Sequence, residues 1–349
     1  MRTVFTSEDT VAVQPAVVVR ATGLYVQRRA LGGLLAAFVS LLLLLALMPA
    51  AAWADYPTFT SWATQNVGDR EISRISTMSD VHFGESNTRE RFRALLIEMA
   101  DFQPEMLIVT GDTFTTSYSQ PSSGFWPDGV GSSFTSSYDE ITRAAHHYLG
   151  DIPVVIAAGN HDYDAGGGYY TTNSGFSSYY GLVPTKNVDV FLFGASSASW
   201  TFTQAQLDGL GEYLAGRADK DKPVFIPSHY PIDDPSANQN GEHGGATNSA
   251  AAASVLAAGG DHPIFYLWGH SHQRADNRSV IGQLFQHYPS GYTTMNAGAI
   301  NYRIPTTSAQ GVNMTIDRAS DPDRLVADVV RVSITTTPAT VTQIGTYTQ

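Results

Sequence analysis

The chain has 349 residues with 20 Lys+Arg against 32 Asp+Glu, a formal net charge of −12, 43% apolar residues, 31 Gly and no Cys. This globular, acidic composition excludes a disordered chain, a collagen and a disulfide scaffold, and it argues against bulk nucleic-acid binding through a basic surface. Without Cys there is no thiolate nucleophile, iron–sulfur cluster or Cys-ligated zinc site, so a metal has only His, Asp, Asn or Glu to hold it, and a phosphate ligand would need metal ions rather than Lys and Arg.

At the N-terminus, Arg28-Arg29 precede an uncharged run over residues 30–47, Met48-Pro49 ends it, and Ala52-Trp53-Ala54 follows. A basic start, an apolar core and an Ala-x-Ala site predict a signal peptide over residues 1–54 with cleavage before Asp55. The competing expectation is an uncleaved membrane anchor, because a run of this length is near the lower limit for spanning a bilayer. Either places residues 55–349, read as one domain, outside the cytoplasm. The Arg pair suits twin-arginine export, but Ala30-Leu31-Gly32 after it is a poor match and leaves the route open.

Across residues 72–272 a short apolar, β-branched run ends five times in a cluster of His, Asp, Asn or Gly. Residues 72–78 run into Ser79-Asp80-Val81-His82, residues 106–109 into Thr110-Gly111-Asp112, and residues 154–157 into Gly159-Asn160-His161-Asp162. Residues 224–226 then lead to Pro227-Ser228-His229, and residues 264–267 to Trp268-Gly269-His270-Ser271-His272. Such runs predict strands buried between layers, and polar residues at their carboxyl ends sit where α/β sheets place ligand sites.

Between them, Asn87 with Glu90 predicts a capping box for a helix whose stripe is Phe92, Leu95, Leu96 and Met99. Thr203 with Gln206 predicts another, with Leu207, Leu210 and Leu214 as its stripe and Gly216 as its stop. Residues 139–149 and the Ala-rich 248–258 are further helices. Two Gly/Ser/Thr/Tyr-rich stretches, 113–138 and 163–181, read as loops over the site. Their Phe114, Tyr118, Phe125, Trp126, Tyr169 and Tyr170 either shape a substrate cleft or pin the loops down. Alternation in 325–334 and 340–346 predicts antiparallel strands completing a second sheet.

The polar residues at the strand ends are Asp80, His82, Asp112, Asn160, His161, Asp162, His229, His270 and His272, a donor set too rich for one ion. Five strand ends presenting imidazole and carboxylate to a common edge would carry a large desolvation cost without a cation. Two metals, Mn, Fe or Zn, are therefore expected, since ligand type does not choose among them. Two divalent ions about 3.5–4 Å apart can lower the pKa of a shared water so that hydroxide exists at neutral pH. A carboxylate with one oxygen for each ion suits Asp112. His270 and His272 share one face in an ideal strand, or reach different ions if the chain turns after Gly269. Asp162 either orients His161 by accepting its ring N–H or caps a turn. His146, His147, His262 and His287 are expected to be surface or packing residues, while His243, in the Gly-rich loop after His229, is the one extra histidine with a chance of touching substrate.

Asp80-x-His82, Gly111-Asp112, Gly159-Asn160-His161-Asp162, His229 and Gly269-His270-x-His272, in this order, resemble the calcineurin-like metallophosphoesterases, in a secreted bacterial-type form. The resemblance covers residues 72–302. It implies an α/β (α+β) four-layer sandwich of two mixed β-sheets flanked by helices, with strands in 303–349 completing it. It also implies that Asp80, His82 and His272 bind one metal, that Asn160, His229 and His270 bind the other, and that Asp112 bridges them. His161 would be the catalytic histidine that binds neither and assists the leaving group. Two departures stand out. The family's second acidic residue three positions after the Gly-Asp aspartate is Thr115 here, and the Tyr ligand of purple-acid-type sites has no match, Tyr118 being displaced. The resemblance implies a hydrolase of a small phosphate ester, monoester or diester, which the leader would make an exported one, with the aromatic loops favouring a nucleotide. The competing function is a non-catalytic surface or secreted protein that keeps the metals to recognise a phosphorylated ligand, and the presence of His161 favours the enzyme.

Overall fold

A computed structural model describes residues 56–59, 70–164, 168–196, 200–232, 245–260, 263–272, 285–300, 308–316, 325–333 and 340–348. The leader over 1–54 and the histidines His243 and His262 lie outside these residues. Among those described, no helix is long and apolar enough to cross a membrane.

Three of the expected strands, β1 (Arg74–Met78), β2 (Met106–Val109) and β3 (Val154–Ile156), pair in parallel. The second sheet begins with β4 (Tyr180–Pro184) and β5 (Asp189–Phe193), continues through the expected β6 (Val224–Pro227) and β7 (Ile264–Trp268), and ends with β8 (Phe285–His287) and β9 (Tyr292–Asn296). Its order is β4-β5-β6-β7-β9-β8, parallel from β5 to β9 with antiparallel edges. The remaining strands, β10 (Ser308–Ile316), β11 (Leu325–Ser333) and β12 (Thr340–Thr348), are antiparallel, as the alternation predicts. They do not complete a second sheet, however. They extend the first, in the order β12-β11-β10-β1-β2-β3. Period-2 alternation reports one buried face and is silent on which sheet supplies the neighbour.

The layers follow from which side chains face which core. In β6 and β7, Phe225, Phe265 and Leu267 join the core shared with β1, β2 and β3, whereas Val224, Ile226, Ile264 and Tyr266 pack outward against the helices. Phe225 and Phe265 stack at 5.1 Å between ring centroids, and burying each such ring contributes about 1.5–3 kcal/mol. The helices α1 (Thr88–Phe102) and α2 (Ser137–Leu149) cover the first sheet; the short α3 (Asn160–Asp164) and α4 (Tyr169–Asn173) follow β3; and α5 (Gln204–Gly216) and α6 (Ser249–Ala258) cover the second sheet. The result is a four-layer α/β sandwich, helix–sheet–sheet–helix.

The capping box at Thr203 and Gln206 forms as expected. The one at Asn87 does not: Asn87 has φ 62 and its side chain makes no cap bond. Thr88 and Arg91 hold that turn instead, through Thr88 Oγ1 to the carbonyls of His82 and Glu85 and through Arg91 Nε to the Asn87 carbonyl. A left-handed residue turns its side chain away from the N–H groups it would cap.

The parallel blocks set the stage for chemistry. Met78 pairs with Val109, Val109 with Ile156, and Pro227 with Leu267, so the strands of each sheet end level. The segments beyond them stay paired, with Asp80 N–H donating to Gly111 O, His82 N–H to Asp112 O, and Gly269 N–H to His229 O. The two sheets meet here as well, where Ile300 N–H donates to Ser79 O and Ala195 N–H to Ala158 O.

Candidate metal centre

All five clusters that follow the strands converge at this edge. Asp80, His82, Asp112 and His272 offer donor atoms lying within 4.8 Å of one another, and so do Asp112, His229 and His270. In the first group His272 Nε2 is 3.2 Å from Asp80 Oδ1 and from His82 Nε2. In the second, His229 Nε2 is 3.1 Å from Asp112 Oδ2, 3.1 Å from His270 Nδ1 and 3.2 Å from Asn160 Oδ1. Every one of these residues is buried.

Asp112 belongs to both groups, with a division of labour that the sequence argument did not anticipate. Its Oδ1 accepts the backbone N–H of His161 at 3.0 Å. Its Oδ2 alone faces both clusters, 3.1 Å from His229 Nε2 and 3.4 Å from His82 Nε2. His270 and His272 part company: the chain turns after β7, both adopt left-handed φ (66 and 50), and each joins a different group. Asp80, His82 and Asp112 are left-handed too, with φ 52, 48 and 52. A left-handed non-Gly residue costs of order 1–3 kcal/mol, and such strain gathers where a site is over-determined by its surroundings.

Two glycines exist for close approach. A Cβ on Gly159 would lie 2.1 Å from Asp112 Oδ1, and one on Gly269 would lie 1.7 Å from Ser79 Oγ and 2.8 Å from Asp80 Oδ2. Any side chain at either position would displace a donor.

The electrostatics favour ionised carboxylates beside imidazoles. Burial by itself would raise Asp112, but His229 and His82 overcome it and hold the carboxyl well below the usual carboxylate range. Burial opposes Asp80 in the same way, and His272 brings it down to about 2. Burial lowers His82. For His229, burial is outweighed by Asp112, which lifts the imidazole to about 9. His229 Nδ1 lies 2.7 Å from the Thr110 carbonyl, so it donates there and turns Nε2 toward Asp112. The donor set fits divalent ions. It consists of carboxylate, amide and imidazole atoms, and the buried Asp80 Oδ1 faces the imidazole nitrogens of His272 and His82 at 3.2 and 3.9 Å.

His161 differs from the rest in being 30% exposed. Its ring stands 5.0 Å from that of His82 and its Nε2 is 3.9 Å from Asp112 Oδ2. Asp162 does not orient it, and this corrects the sequence-based expectation. Asp162 is fully buried and points inward, where its carboxylate accepts Gly159 N–H (2.8 Å), Thr113 Oγ1–H (2.5 Å) and Tyr138 O–H (2.9 Å). Burial and the charge of Asp112 push its pKa up to about 6. Its work is to tie the Asn160–His161 turn to the segment after Asp112, which is the turn-capping alternative.

Thr115, where the family pattern has an acid, places its hydroxyl 3.4 Å from His82 Nδ1. The hydroxyl is a long, neutral contact on the ring nitrogen that His82 turns away from the donor cluster. Of the aromatic loop residues, the half-buried Tyr118, Phe125 and Tyr169 pack against the core from its edge. Phe114, Trp126 and Tyr170 are buried, Tyr170 O–H donates to the Ile156 carbonyl, and Tyr118 O–H and Trp126 Nε1–H donate to Glu140. Tyr118 thus spends its hydroxyl on Glu140. Glu140, with Arg89 bound to it at 2.7 and 3.0 Å, was not legible as a hub because its partners come from α1 and from the 113–138 loop, far from it in sequence or in another element. Thr110 and Thr113 were also missed, although both flank the Gly111-Asp112 pair.

A family model described as calcineurin-like phosphoesterase matches residues 73–274, more than half of the chain. No curated protein matches it significantly in sequence. Among solved structures, it resembles a dimetal phosphatase from Danio rerio at TM-score 0.53 and 13% identity, covering 80% of this chain and 99% of that one. It also resembles a purple acid phosphatase from yellow lupin (Lupinus luteus) seeds at TM-score 0.51 and 13% identity, covering 80% of this chain and 54% of the other.

Proposed function

The chain belongs to the calcineurin-like phosphoesterase family and is a metal-dependent phosphoesterase; from that premise we propose that it is an exported hydrolase of small phosphate esters working with two transition-metal ions, Mn, Fe or Zn. The observation that carries this reading is Asp112 Oδ2, set between His82 and His229 at 3.4 and 3.1 Å, where one carboxylate serves two donor clusters. Asp80, His82 and His272 would hold one ion, Asn160, His229 and His270 the other, and Asp112 both.

When bound, such ions supply Lewis acidity toward the phosphoryl oxygens and acidify a water. The residues of the chain do the rest. His161, half-exposed at the rim, is the group placed to give a proton to the departing ester oxygen, and its backbone is fixed by Asp112 Oδ1.

Export is supported by Arg28-Arg29, the apolar run and Ala52-Trp53-Ala54. Monoesters and diesters both remain within the reading. The aromatic loops lend no weight to a nucleotide, since their rings are spent on packing.

The experiment is elemental analysis of the chain from Asp55, with hydrolysis of p-nitrophenyl phosphate and bis(p-nitrophenyl) phosphate measured with and without chelator. Close to two ions per chain and chelator-sensitive turnover are expected. Two ions without turnover would move the reading to a metal-dependent binding protein, and no ion after loading with Mn, Fe and Zn would sink the site.

A further inference from the structure

Eight non-glycine residues among those described have left-handed backbone. Asn87 and Gln103 cap the two ends of α1. Asp80, His82, Asp112, His270 and His272 are candidate metal ligands. The eighth is Trp200, with φ 54. Asp, Asn and His tolerate this conformation, whereas for a bulky side chain it is a genuine outlier. No helix end accounts for it, because α5 starts at Gln204 with Thr203 as its cap. Strain of this kind points from an observed outlier to a functional constraint.

The ring of Trp200 lies beside the second donor cluster. Its centroid is 5.0 Å from that of His270, at 75°. Two other rings surround His270, Tyr230 at 5.0 Å and His229 at 4.9 Å. Both of those are fully buried, and Trp200 alone of the three is half-exposed. Across the site His161, also half-exposed, stands next to His82 of the first cluster. The two donor clusters are therefore each flanked by one partly exposed ring, an imidazole that can exchange a proton and an indole that cannot.

Resting on the phosphoesterase reading above, we infer that Trp200 is a specificity-determining residue, receiving a flat aromatic group of the phosphate ester on the His270 side. An indole offers the largest aromatic surface of any side chain, and ring stacking on it discriminates aromatic from aliphatic substituents by roughly three- to tenfold. Aryl and nucleobase rings share this chemistry. Part of the indole packs against the core of the second sheet, its centroid 6.4 Å from that of Tyr230, and the remainder is left open to solvent.

The test uses the metal-loaded full chain as wild type, Trp200→Ala and Trp200→Phe. Kinetics are taken on phenyl phosphate, adenosine monophosphate and glycerol phosphate, and binding of phenylphosphonate and methylphosphonate is measured by calorimetry. In Trp200→Ala, kcat/KM for the aromatic esters should fall about tenfold relative to glycerol phosphate, through KM rather than kcat. The ratio of the two phosphonate Kd values should shift in step, and Trp200→Phe should recover part of both. A loss confined to phenyl phosphate or to the nucleotide identifies which ring the site takes. Ratios that stay fixed, whether all rates fall together or none does, would overturn the assignment and leave Trp200 as packing for His270. If the wild type turns over no ester, the phosphoesterase reading fails, and the phosphonate pair still decides what Trp200 contacts.

Discussion

The carboxylate of Asp112 holds the backbone of His161, accepting its N–H on Oδ1 at 3.0 Å while Oδ2 stays with the imidazoles. The bond couples the proposed shared ligand to the proposed proton donor and separates what each mutation should do. Asp112→Asn should lose metal and turnover together. His161→Ala should retain its metal by elemental analysis while kcat drops about 10²–10⁴-fold, the usual range for a lost general acid. Full activity in the His161 variant would remove that residue from the reaction.

Thr115 supports His82 through a hydroxyl at 3.4 Å. Groups behind a ligating histidine typically alter metal affinity by about 10–100-fold, and a neutral hydroxyl belongs at the low end. Thr115→Val should weaken binding of one of the two ions roughly tenfold in a competitive chelator titration, and Thr115→Asp should strengthen it. Identical titration curves for all three proteins would show that the hydroxyl leaves His82 alone.

Metal uptake should depend on pH through His229. Burial would lower this imidazole, yet Asp112 raises it to about 9 in the metal-free protein. Below that value an incoming ion must displace a proton, so affinity should rise by up to about tenfold per pH unit from pH 6 to pH 9. For the metal-free fold the sign is reversed. A pKa raised above the unfolded value gives stability that is fully present below about 6.5 and is lost as pH rises through about 9. Chelator competition at pH 6, 7 and 8 reads the first effect and denaturant midpoints across pH 6–9 read the second; a flat profile in both would contradict the pairing of His229 with Asp112.

Glu140 is fully buried and receives Arg89, Tyr118 and Trp126, fastening the 113–138 loop to α1 and α2. Removing one partner of a buried ion pair strands the other, at a cost of about 3–5 kcal/mol. Glu140→Ala should show that loss in urea unfolding. A change under about 1 kcal/mol would mean that the loop is held by its apolar contacts alone.

Much of this was legible in the chain itself because the signals are local. Short runs apolar on both faces read as buried parallel strands, and β1, β2, β3, β6 and β7 are where those runs are. Each run ends in donor residues, so the common edge and the identity of its side chains follow from strand polarity. The absence of Cys narrowed the donor set to oxygen and imidazole nitrogen before any geometry was known.

What the tertiary structure decided is non-local. The alternation of residues 325–334 announces a strand but cannot tell which sheet it joins, because pairing depends on β10 lying beside β1. His270 and His272 share a face in any regular strand. Only the left-handed turn after Trp268, held by Gly269 against Ser79 and Asp80 of the other sheet, sends them to different clusters. Asp162 sits beside His161 in sequence and turns away from it because Thr113, Gly159 and Tyr138 supply better donors in the interior. Trp200 carried no motif at all. Its place beside His270 arises from contacts between segments seventy residues apart, and no periodicity records such a distance.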